Sequence, residues 1–524
     1  MKINWNFTVN ILILVIAVLL IIIQHDCVRP FLKNLRRPDY KSSRQTDNNK
    51  SEQTNKEQIA ESPVVVNSPV VKPAAEFQDI KFPDNFLFGT AYSDFQIAGI
   101  NKNSDWYEHA NNTFPPPINR YSGITNQDLI KQFKEDFSLG EKIGVQIHRI
   151  SMEWSRFEPK EGQFDMEAVK TYREIFSSMR SNNIEPMICL NHFPLPNWFV
   201  EQGCWENIKA PYYYSRYAEF LAKNLGAPLK IKWWLTFNEP QVILAQSYAK
   251  GQWPPYKRIN GFYDEAGTER IIKAASLILD AHRLSYRTIH RILDGEKSEN
   301  KIMVGWASAP NVFYPQDPDS PLDKAAVNFH TALLTMFLDS AVGNADRDFI
   351  GLNYYGRSKI KFHVSLWPNM LRWLSREKPF AFQWEQSEQR KQGDRPKEFY
   401  PQALYDLIMK FKDSGAPIMI TENGLDDAED KFREEFIVIH LKAVHDAIRD
   451  GANIIGYQYW SLSDTWEPAD GRFASFGLTE KVDGSHKIRQ LRPSAVTYGQ
   501  IIKTHKISKE LLEKHKELLL TQEN

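Results

Sequence analysis

The sequence predicts an α/β protein, a (β/α)8 TIM barrel preceded by an N-terminal transmembrane anchor and a flexible linker. Along most of the chain, short apolar runs rich in β-branched and aromatic residues alternate with amphipathic helical stretches. Such alternation predicts a parallel sheet, and a count of eight strands predicts closure into a barrel. The anchor rests on a third observation, an unbroken apolar run from Ile11 to Ile23.

The eight predicted strands are runs of apolar residues that each end in polar ones. They are Phe86–Ala91, Val145–Met152, Pro186–Phe193, Ile231–Phe237, Lys301–Ala307, Phe349–Tyr355, Pro417–Thr421 and Ile454–Leu462. Helical periodicity lies between them, at Ala168–Ser181, Tyr213–Leu225, Arg270–Ile292, Gln402–Lys412 and Arg433–Arg449. The barrel is therefore predicted over residues 79–505.

The N-terminal apolar run, with Trp5 to Asn10 ahead of it, comes close to the roughly 20 residues that a membrane-spanning helix needs. A cleaved signal peptide is the alternative. The run is followed by Gln24-His25-Asp26-Cys27, which lacks a small-x-small cleavage pattern. We therefore expect residues 1–26 to be a retained, single-pass anchor.

Basic residues follow the apolar run, whereas only Lys2 and the amino terminus precede it. The following ones are Arg29, Lys33, Arg36, Arg37, Lys41 and Arg44. The positive-inside bias then favours a cytoplasmic barrel. Residues 27–78, polar and then rich in Pro, Val and Ser, are expected to be a disordered linker. Residues 506–524 read as a charged helical tail, for which a solvated helix is the default.

Composition excludes some classes of protein. Lys+Arg and Asp+Glu both number 65, so the chain has no basic footprint for nucleic acid. Cys27, Cys189 and Cys204 fit neither a disulfide framework nor a zinc site. With no metal cluster, phosphate loop or dinucleotide fingerprint, the sequence implies no cofactor. Fourteen Trp residues fit a large core, platforms for sugar rings, or both. The sequence indicates no oligomeric state.

Polar side chains end six of the predicted strands. They are Arg149 and Glu153, Asn191 and His192, Asn238 and Glu239, Asn353 and Tyr355, Glu422 and Asn423, and Trp460 and Asp464. In a barrel these ends converge on the face where active sites lie. The pattern therefore predicts a site there.

Two carboxylates in this set, Glu239 and Glu422, each follow an apolar strand. Alone, each could simply cap the loop that follows. Facing each other across a barrel mouth, two like charges raise one pKa and leave one carboxylate ionised. This pairing supplies the acid and the nucleophile that cleavage of a glycosidic bond needs.

The sequence around both carboxylates resembles the catalytic signatures of glycoside hydrolase family 1, the β-glucosidase/β-galactosidase family. These signatures are Thr236-Phe237-Asn238-Glu239-Pro240 and Ile420-Thr421-Glu422-Asn423-Gly424. Further similar stretches include Phe86–Ala91 with Phe95-Gln96, His148–Ser151, Leu190–Pro196, Asp348–Tyr355, Trp460–Leu462 and Phe476–Leu478. The resemblance runs from about Phe82 to Ile502.

The resemblance implies that Glu239 is the acid/base and Glu422 the nucleophile of a retaining β-glycosidase. It implies that Arg149 and Tyr355 support Glu422, and that Asn238 binds the sugar 2-hydroxyl. The other implied substrate-binding residues are Gln96, His192, Asn353, Trp460, Glu467 and Phe476. From the residues alone, Arg149 could also be a structural ion-pair partner, and His192 and Trp460 could be core residues.

The chain departs from the family pattern at three positions near this site. Ala98 stands where Glu is usual, Phe193 where Trp is common, and Pro468 where a Trp normally touches the sugar. Because of these changes, the sequence does not identify which sugar is bound. The expected function is hydrolysis of a terminal β-linked sugar on a carbohydrate or glycoconjugate. A membrane-tethered transglycosylase acting on a glycolipid is the first alternative, and a non-catalytic carbohydrate-binding barrel is the second.

Overall fold

A closed barrel of eight parallel strands forms the centre of the computed structural model. The strands are β1 (Leu87–Ser93), β2 (Ile147–Ser151), β3 (Glu185–Cys189), β4 (Trp233–Asn238), β5 (Met303–Ser308), β6 (Ile350–Asn353), β7 (Ile418–Asn423) and β8 (Ile454–Tyr459). They pair in chain order, and β8 closes the barrel on β1. The predicted (β/α)8 barrel is confirmed, and all eight predicted strands overlap the observed ones.

The structure describes residues 77–99, 101–113, 125–259, 264–294, 301–310, 312–328, 346–361, 384–385, 399–468, 474–481 and 489–521. The predicted anchor at 1–26, and all of the predicted linker except its last two residues, lie outside these ranges. Among the helices that the structure describes, none is both long and apolar enough to cross a bilayer.

Seven described helices follow the strands on the outside of the barrel. They are α1 (Asn126–Ile143), α2 (Met166–Ser181), α3 (Ala210–Leu221), α4 (Glu265–Leu293), α5 (Pro401–Phe411), α6 (Arg433–Arg449) and α7 (Pro493–Thr504). Residues 321–328, between β5 and β6, are also helical. Thr125 and Asp128 form a capping box that starts α1. Gly144, with φ 83°, ends it in the left-handed conformation that glycine adopts without strain.

Shorter elements lie between the strands and the outer helices or continue a helix. The α-helical ones are Asp94–Ala98, Trp106–Thr113, Trp154–Phe157, Asn197–Glu201, Ala227–Leu229 and Pro240–Ile243, with a 3-10 turn at Cys204–Glu206 and π-helical turns at Ala222–Gly226 and Leu244–Ala249. Outside the barrel, Val312–Pro315, Arg357–Ile360 and Trp384–Glu385 form one small sheet, and Thr479–Lys481 pairs with Arg489–Leu491.

The barrel interior is filled by inward-facing side chains. This core comprises Ile147, Met187, Cys189, Trp233, Leu235, Met303, Ala307, Phe349 and Met419. Its members recur at every second position, as in Met187 and Cys189 or Trp233 and Leu235, which is the period of a strand. Because this packed floor closes the barrel, the polar residues at the strand ends lie above it, at the carboxyl face.

The C-terminal tail packs against the protein, so the default expectation of a solvated helix is wrong. Lys506–Ile507 pairs antiparallel with Ile80–Lys81. Two short helices follow, Lys509–Lys514 and Lys516–Thr521. Ile507 and Leu512 are fully buried, and Glu434 on α6 accepts from His515 at 3.0 Å. The apolar residues of the tail thus fix it to the barrel.

Candidate active site

The carboxyl ends of the strands bring the predicted site residues together. Arg149 lies on β2, Asn238 ends β4, Asn353 ends β6 and Glu422 lies on β7. All four are buried. They come together because parallel strands in a barrel share one carboxyl face.

Glu422 is held by donors on both of its oxygens. Arg149, which is fully buried, forms an ion pair and a hydrogen bond from Nη2 to Oε1. The hydroxyl of Tyr355 donates to Oε2 at 2.6 Å. Burial lowers the pKa of Arg149, but the charge of Glu422, together with its hydrogen bond and the neighbouring Cys189 and Tyr355, outweighs burial, and the net pKa is raised. The guanidinium therefore stays charged and fixes this carboxylate.

Glu239 lies directly after β4, in a left-handed backbone conformation with φ 48° and ψ 56°. This conformation is uncommon for a residue with a side chain. Its Oε1 accepts a hydrogen bond of 2.7 Å from Nδ2 of Asn353. Burial first, and then the charge of Glu422, raise the pKa of Glu239 to about 8. Glu239 is thus protonated at neutral pH.

A network of buried amides joins the two carboxylates. Oδ1 of Asn238 accepts from Nη1 of Arg149 at 2.8 Å and from Nδ2 of Asn353 at 3.1 Å. The hydroxyl of Thr421 donates to Oδ1 of Asn353 at 2.7 Å. Thr421 was not predicted as a site residue, because a Thr at the end of a strand gives no signal beyond its place beside Glu422.

His192 and Trp460 stack beside Arg149. Their ring centroids are 5.5 Å apart with an interplanar angle of 19°, and the Arg149 guanidinium lies 5.7 Å from the Trp460 ring. Oε1 of Glu467 accepts from Nε1 of Trp460 at 3.2 Å and from the hydroxyl of Thr465 at 2.6 Å. An indole face and a fixed carboxylate thus line the same wall.

His192 is buried and bonded on both ring nitrogens. Nδ1 lies 3.0 Å from Oγ of Ser151, and Nε2 lies 3.4 Å from Nδ2 of Asn238. Burial, followed by the charge of Arg149, lowers the pKa of His192 well below its usual range. The ring is neutral at physiological pH. Ser151 was also missed from the sequence, where it was only part of a strand.

Gln96 and Phe476 join the site at its edges. Nε2 of Gln96 donates to the carbonyl of Trp466 at 2.7 Å, next to Glu467 in the chain. Oε1 of Gln96 is buried with no hydrogen-bond partner in the part of the chain that the structure describes. Phe476 packs edge-on against Tyr355 at 6.0 Å.

A glycine allows the strand ends to approach one another. A Cβ at Gly424 would lie 2.0 Å from the carbonyl oxygen of Trp460, a clash that no side chain could tolerate. The main chain after Glu422 can therefore run against the residue that forms the indole wall.

Some polar residues at the strand ends belong to the scaffold instead. Glu153 accepts from Ser155 at 2.8 Å and from Arg156 at 3.2 Å. Asp464 forms an ion pair with Arg492 at 3.0 Å. These bonds tie both carboxylates to neighbouring loops and elements rather than to the paired carboxylates of the site. A polar residue at the end of a strand thus lies on this face of the barrel but need not belong to the site.

Two of the three departures from the family pattern lie in well-packed surroundings. Phe193, with φ 80°, packs against Trp253 at 5.0 Å and Trp106 at 6.3 Å. Ala98 is only 3% exposed and brings no polar atom to its position. Each change brings an apolar side chain to its position.

Comparisons with known proteins agree with this geometry. The family model for glycosyl hydrolase family 1 matches residues 78–344 and 339–507. The chain belongs to this family. The family member from Pyrococcus horikoshii, a β-glycosidase of known structure, shares 31% identity and a TM-score of 0.70, over 83% of this chain and 98% of that one. The predicted class of enzyme, a β-glycosidase, is confirmed.

Curated relatives in the family have several activities. A β-galactosidase of Pyrococcus woesei is 28% identical over 520 residues, which cover 82% of this chain and 99% of that protein. The galactolipid galactosyltransferase SFR2 of Arabidopsis thaliana is 28% identical over 436 residues, covering 79% of this chain and 65% of that protein. A family 1 β-glucosidase from Thermotoga maritima, at 23% identity and a TM-score of 0.67, shares the fold.

Proposed function

We propose that the chain releases a terminal β-linked sugar with retention of configuration, with Glu422 as nucleophile and Glu239 as acid/base. One observation carries the proposal. The carboxyl group of Glu422 forms an ion pair with Arg149 and accepts from Tyr355, while Glu239 in the same site has a pKa raised to about 8. One group is ready to attack and the other to donate a proton.

In the first step, an oxygen of Glu422 forms a bond to the anomeric carbon as the bond to the leaving oxygen breaks. The proton of Glu239 passes to that leaving oxygen, and the aglycone departs as an alcohol. Retention by this route requires the two carboxyl groups to lie about 5–5.5 Å apart. The product of the step is an ester between Glu422 and the sugar.

In the second step, Glu239 changes from acid to base. Formation of the ester removes the negative charge of Glu422, which is one of the causes that raise the pKa of Glu239. The pKa of Glu239 therefore falls, and its carboxylate form accepts a proton from water. The oxygen of that water bonds to the anomeric carbon, and the bond to Glu422 breaks.

The remaining residues would bind the sugar. In this proposal Asn238 would hold the 2-hydroxyl, Gln96, His192 and Glu467 would hold other hydroxyls, and Trp460 would supply the platform beneath the ring. Oε1 of Gln96, which is buried and has no hydrogen-bond partner among the described residues, supports this role, since an orphaned buried acceptor is costly until a ligand donates to it. Asn353 would hold Glu239. Phe476, which packs against Tyr355, would lie at the edge of the sugar site.

Galactosides are the first sugars to test. The relatives named above include a β-galactosidase and a galactolipid galactosyltransferase, and a further relative, from Staphylococcus epidermidis, is a 6-phospho-β-galactosidase at 28% identity. Ala98 and Pro468 alter the polar surround of the sugar, so the panel should also contain β-glucosides, β-fucosides and β-mannosides.

The test uses the full chain and aryl β-glycosides of each sugar. We expect release of the aryl alcohol, loss of release in Glu422→Gln, and a stable mass adduct on the Glu422 peptide after a 2-deoxy-2-fluoro glycoside with an activated leaving group. In Glu239→Gln, azide should restore turnover of an activated substrate as the β-glycosyl azide. An adduct on another residue, or an inverted azide product, would refute the assignment.

Transfer to a glycolipid is the second candidate function. The similarity to SFR2 favours it, as does the apolar run Ile11 to Ile23. The covalent intermediate permits transfer, because an acceptor hydroxyl can take the place of water. Incubation of the full chain with galactolipid vesicles distinguishes the two: an elongated glycolipid indicates transfer, and free galactose indicates hydrolysis.

We also propose that residues 1–26 anchor the enzyme in a membrane with the barrel on the cytoplasmic side. The length of the apolar stretch and the excess of basic residues after it support this orientation. Protease added outside intact cells should leave the barrel uncut. Digestion of the barrel under those conditions would reverse the orientation, and recovery of the full chain in the soluble fraction would exclude the anchor.

A further inference from the structure

The direction of the hydrogen bonds in the site can be assigned starting from Arg149. A guanidinium has donors and no acceptor, so the atom of Asn238 that faces Nη1 at 2.8 Å must be its oxygen. The same oxygen meets Asn353 at 3.1 Å, which requires a donor from Asn353. Arg149 thereby fixes the orientation of both amides: Oδ1 of Asn238 faces Arg149, and Nδ2 of Asn353 faces Oδ1 of Asn238.

The orientation of Asn238 determines the tautomer of His192. With Oδ1 of Asn238 turned to Arg149, its amide hydrogens are directed to Nε2 of His192 at 3.4 Å. A hydrogen on Nε2 would oppose them, so Nε2 carries the lone pair. A neutral imidazole has one hydrogen, which must then be on Nδ1. Nδ1 lies 3.0 Å from Oγ of Ser151, which accepts it.

We infer that Ser151 is a positioning residue that, together with Arg149 and Asn238, holds His192 as the Nδ1-protonated tautomer and so makes Nε2 an acceptor for one sugar hydroxyl. The inference rests on the proposed function and assigns the direction of one contact in it. A hydroxyl that meets Nε2 must donate, and its oxygen can accept from Nδ2 of Asn238. A deoxy, fluoro or methoxy group at this position has no hydrogen to donate to Nε2.

The contact between Asn238 and His192 leaves room for this exchange. At 3.4 Å it is long for a hydrogen bond, whereas the bonds that fix the partners, 2.8 Å to Arg149 and 3.0 Å to Ser151, have ordinary lengths. The substrate can therefore replace the weak contact while the strong ones keep both side chains in place.

The tautomer can be observed directly on the full chain labelled with 15N-histidine. Long-range nitrogen–proton correlation distinguishes the two neutral tautomers, and the His192 signals are assigned by their loss in His192→Gln. We expect a proton on Nδ1 and no titration between about pH 5 and 8. Ser151→Ala should give a mixture of tautomers, and Ser151→Thr should restore the wild-type signal.

A proton on Nε2 in the wild-type chain would overturn the inference, as would an unchanged tautomer in Ser151→Ala. This measurement needs no turnover, so its failure is distinct from failure of the proposed function, which the covalent adduct on Glu422 tests separately.

Kinetics give a second test, in which Ser151 is changed in the enzyme and one hydroxyl is removed from the substrate, separately and together. Ser151→Ala should lower kcat/KM about tenfold on the preferred aryl glycoside, mainly through KM, the loss expected for one weakened hydrogen bond. On the deoxy analogue that lacks the hydroxyl at His192, the same variant should have under about a twofold effect. Equal losses on every deoxy analogue would show a purely structural role and refute the inference.

Discussion

The amide of Asn353 donates a 2.7 Å hydrogen bond to Oε1 of Glu239, and this bond lowers a pKa that burial and Glu422 raise. Asn353→Ala removes the donor. We expect the pKa of Glu239 to rise above about 8, so that the alkaline limb of kcat/KM moves to higher pH. A pH profile with the preferred aryl glycoside measures this shift. A limb that moves to lower pH would contradict the assigned direction of the bond.

Thr421 offers a milder version of that change and a matched control. Its hydroxyl donates to Oδ1 of Asn353 at 2.7 Å, so Thr421→Val leaves this oxygen buried without its donor. We expect a stability loss of about 1–3 kcal/mol and an alkaline shift smaller than that of Asn353→Ala. Thr421→Ser retains the hydroxyl and should keep the wild-type profile. Denaturant unfolding and pH profiles measure the two effects.

Glu239 also sets the alkaline limit of the wild-type enzyme. The first step requires its protonated form, and with a pKa of about 8 that form is lost as the pH rises through 8. For an aglycone that is a poor leaving group, kcat/KM should fall about tenfold for each pH unit above the limb. An activated aryl glycoside needs little protonation and should show a weaker fall. The same steep limb on both substrates would assign it to another group.

The indole nitrogen of Trp460 orients Glu467 through a 3.2 Å hydrogen bond. Trp460→Phe keeps an aromatic ring beside His192 but loses this donor. We expect kcat/KM to fall about tenfold, as for loss of one hydrogen bond worth about 1–1.5 kcal/mol. Thr465→Val removes a second donor to Glu467, at 2.6 Å, without touching the ring wall. If only Trp460→Phe is impaired, stacking rather than orientation of Glu467 accounts for the loss.

The predictability of the site depends on which residues carry a local signal. Glu239 and Glu422 follow apolar strands, so the strand period alone places both at the barrel mouth. Ser151 and Thr421 could not be identified this way, because hydroxyl residues are common at strand ends. Their roles depend on His192 and Asn353, which lie 41 and 68 positions away in the chain.

The same limit applies to the fold. The strands and the outer helices were predicted because each repeats a period over several residues. The tail was expected to be solvated, because its charges dominate the local sequence, yet Ile507 and Leu512 are buried against distant elements. Glu153 and Asp464 looked like site residues at their strand ends, and only their bonds to Arg156 and Arg492 place them in the scaffold.

Glu239 should lower the stability of the folded enzyme at neutral pH. The ordinary pKa of a Glu side chain is 4.5, whereas the pKa of Glu239 in the folded enzyme is about 8, so the folded state holds a proton that the unfolded state has lost. The resulting penalty is absent below about pH 4, grows through the interval up to 8, and then stays constant. Glu239→Gln removes it, because the amide does not ionise.

We therefore expect Glu239→Gln to be inactive on substrates with poor leaving groups and yet more stable than the wild type by about 2 kcal/mol at pH 7. The difference between the two pKa values corresponds to about 3 kcal/mol at pH 7. We expect less than this because the side chain is only partly buried. Denaturant unfolding at pH 4 and pH 7 measures this gain in stability, which should vanish at pH 4.

Glu422→Gln is the matched control: it leaves the buried charge of Arg149 without its partner and should destabilise the fold by about 3 kcal/mol. Equal stability of Glu239→Gln and the wild type at both pH values would mean that Glu239 is ionised at neutral pH, and it could not then serve as the acid.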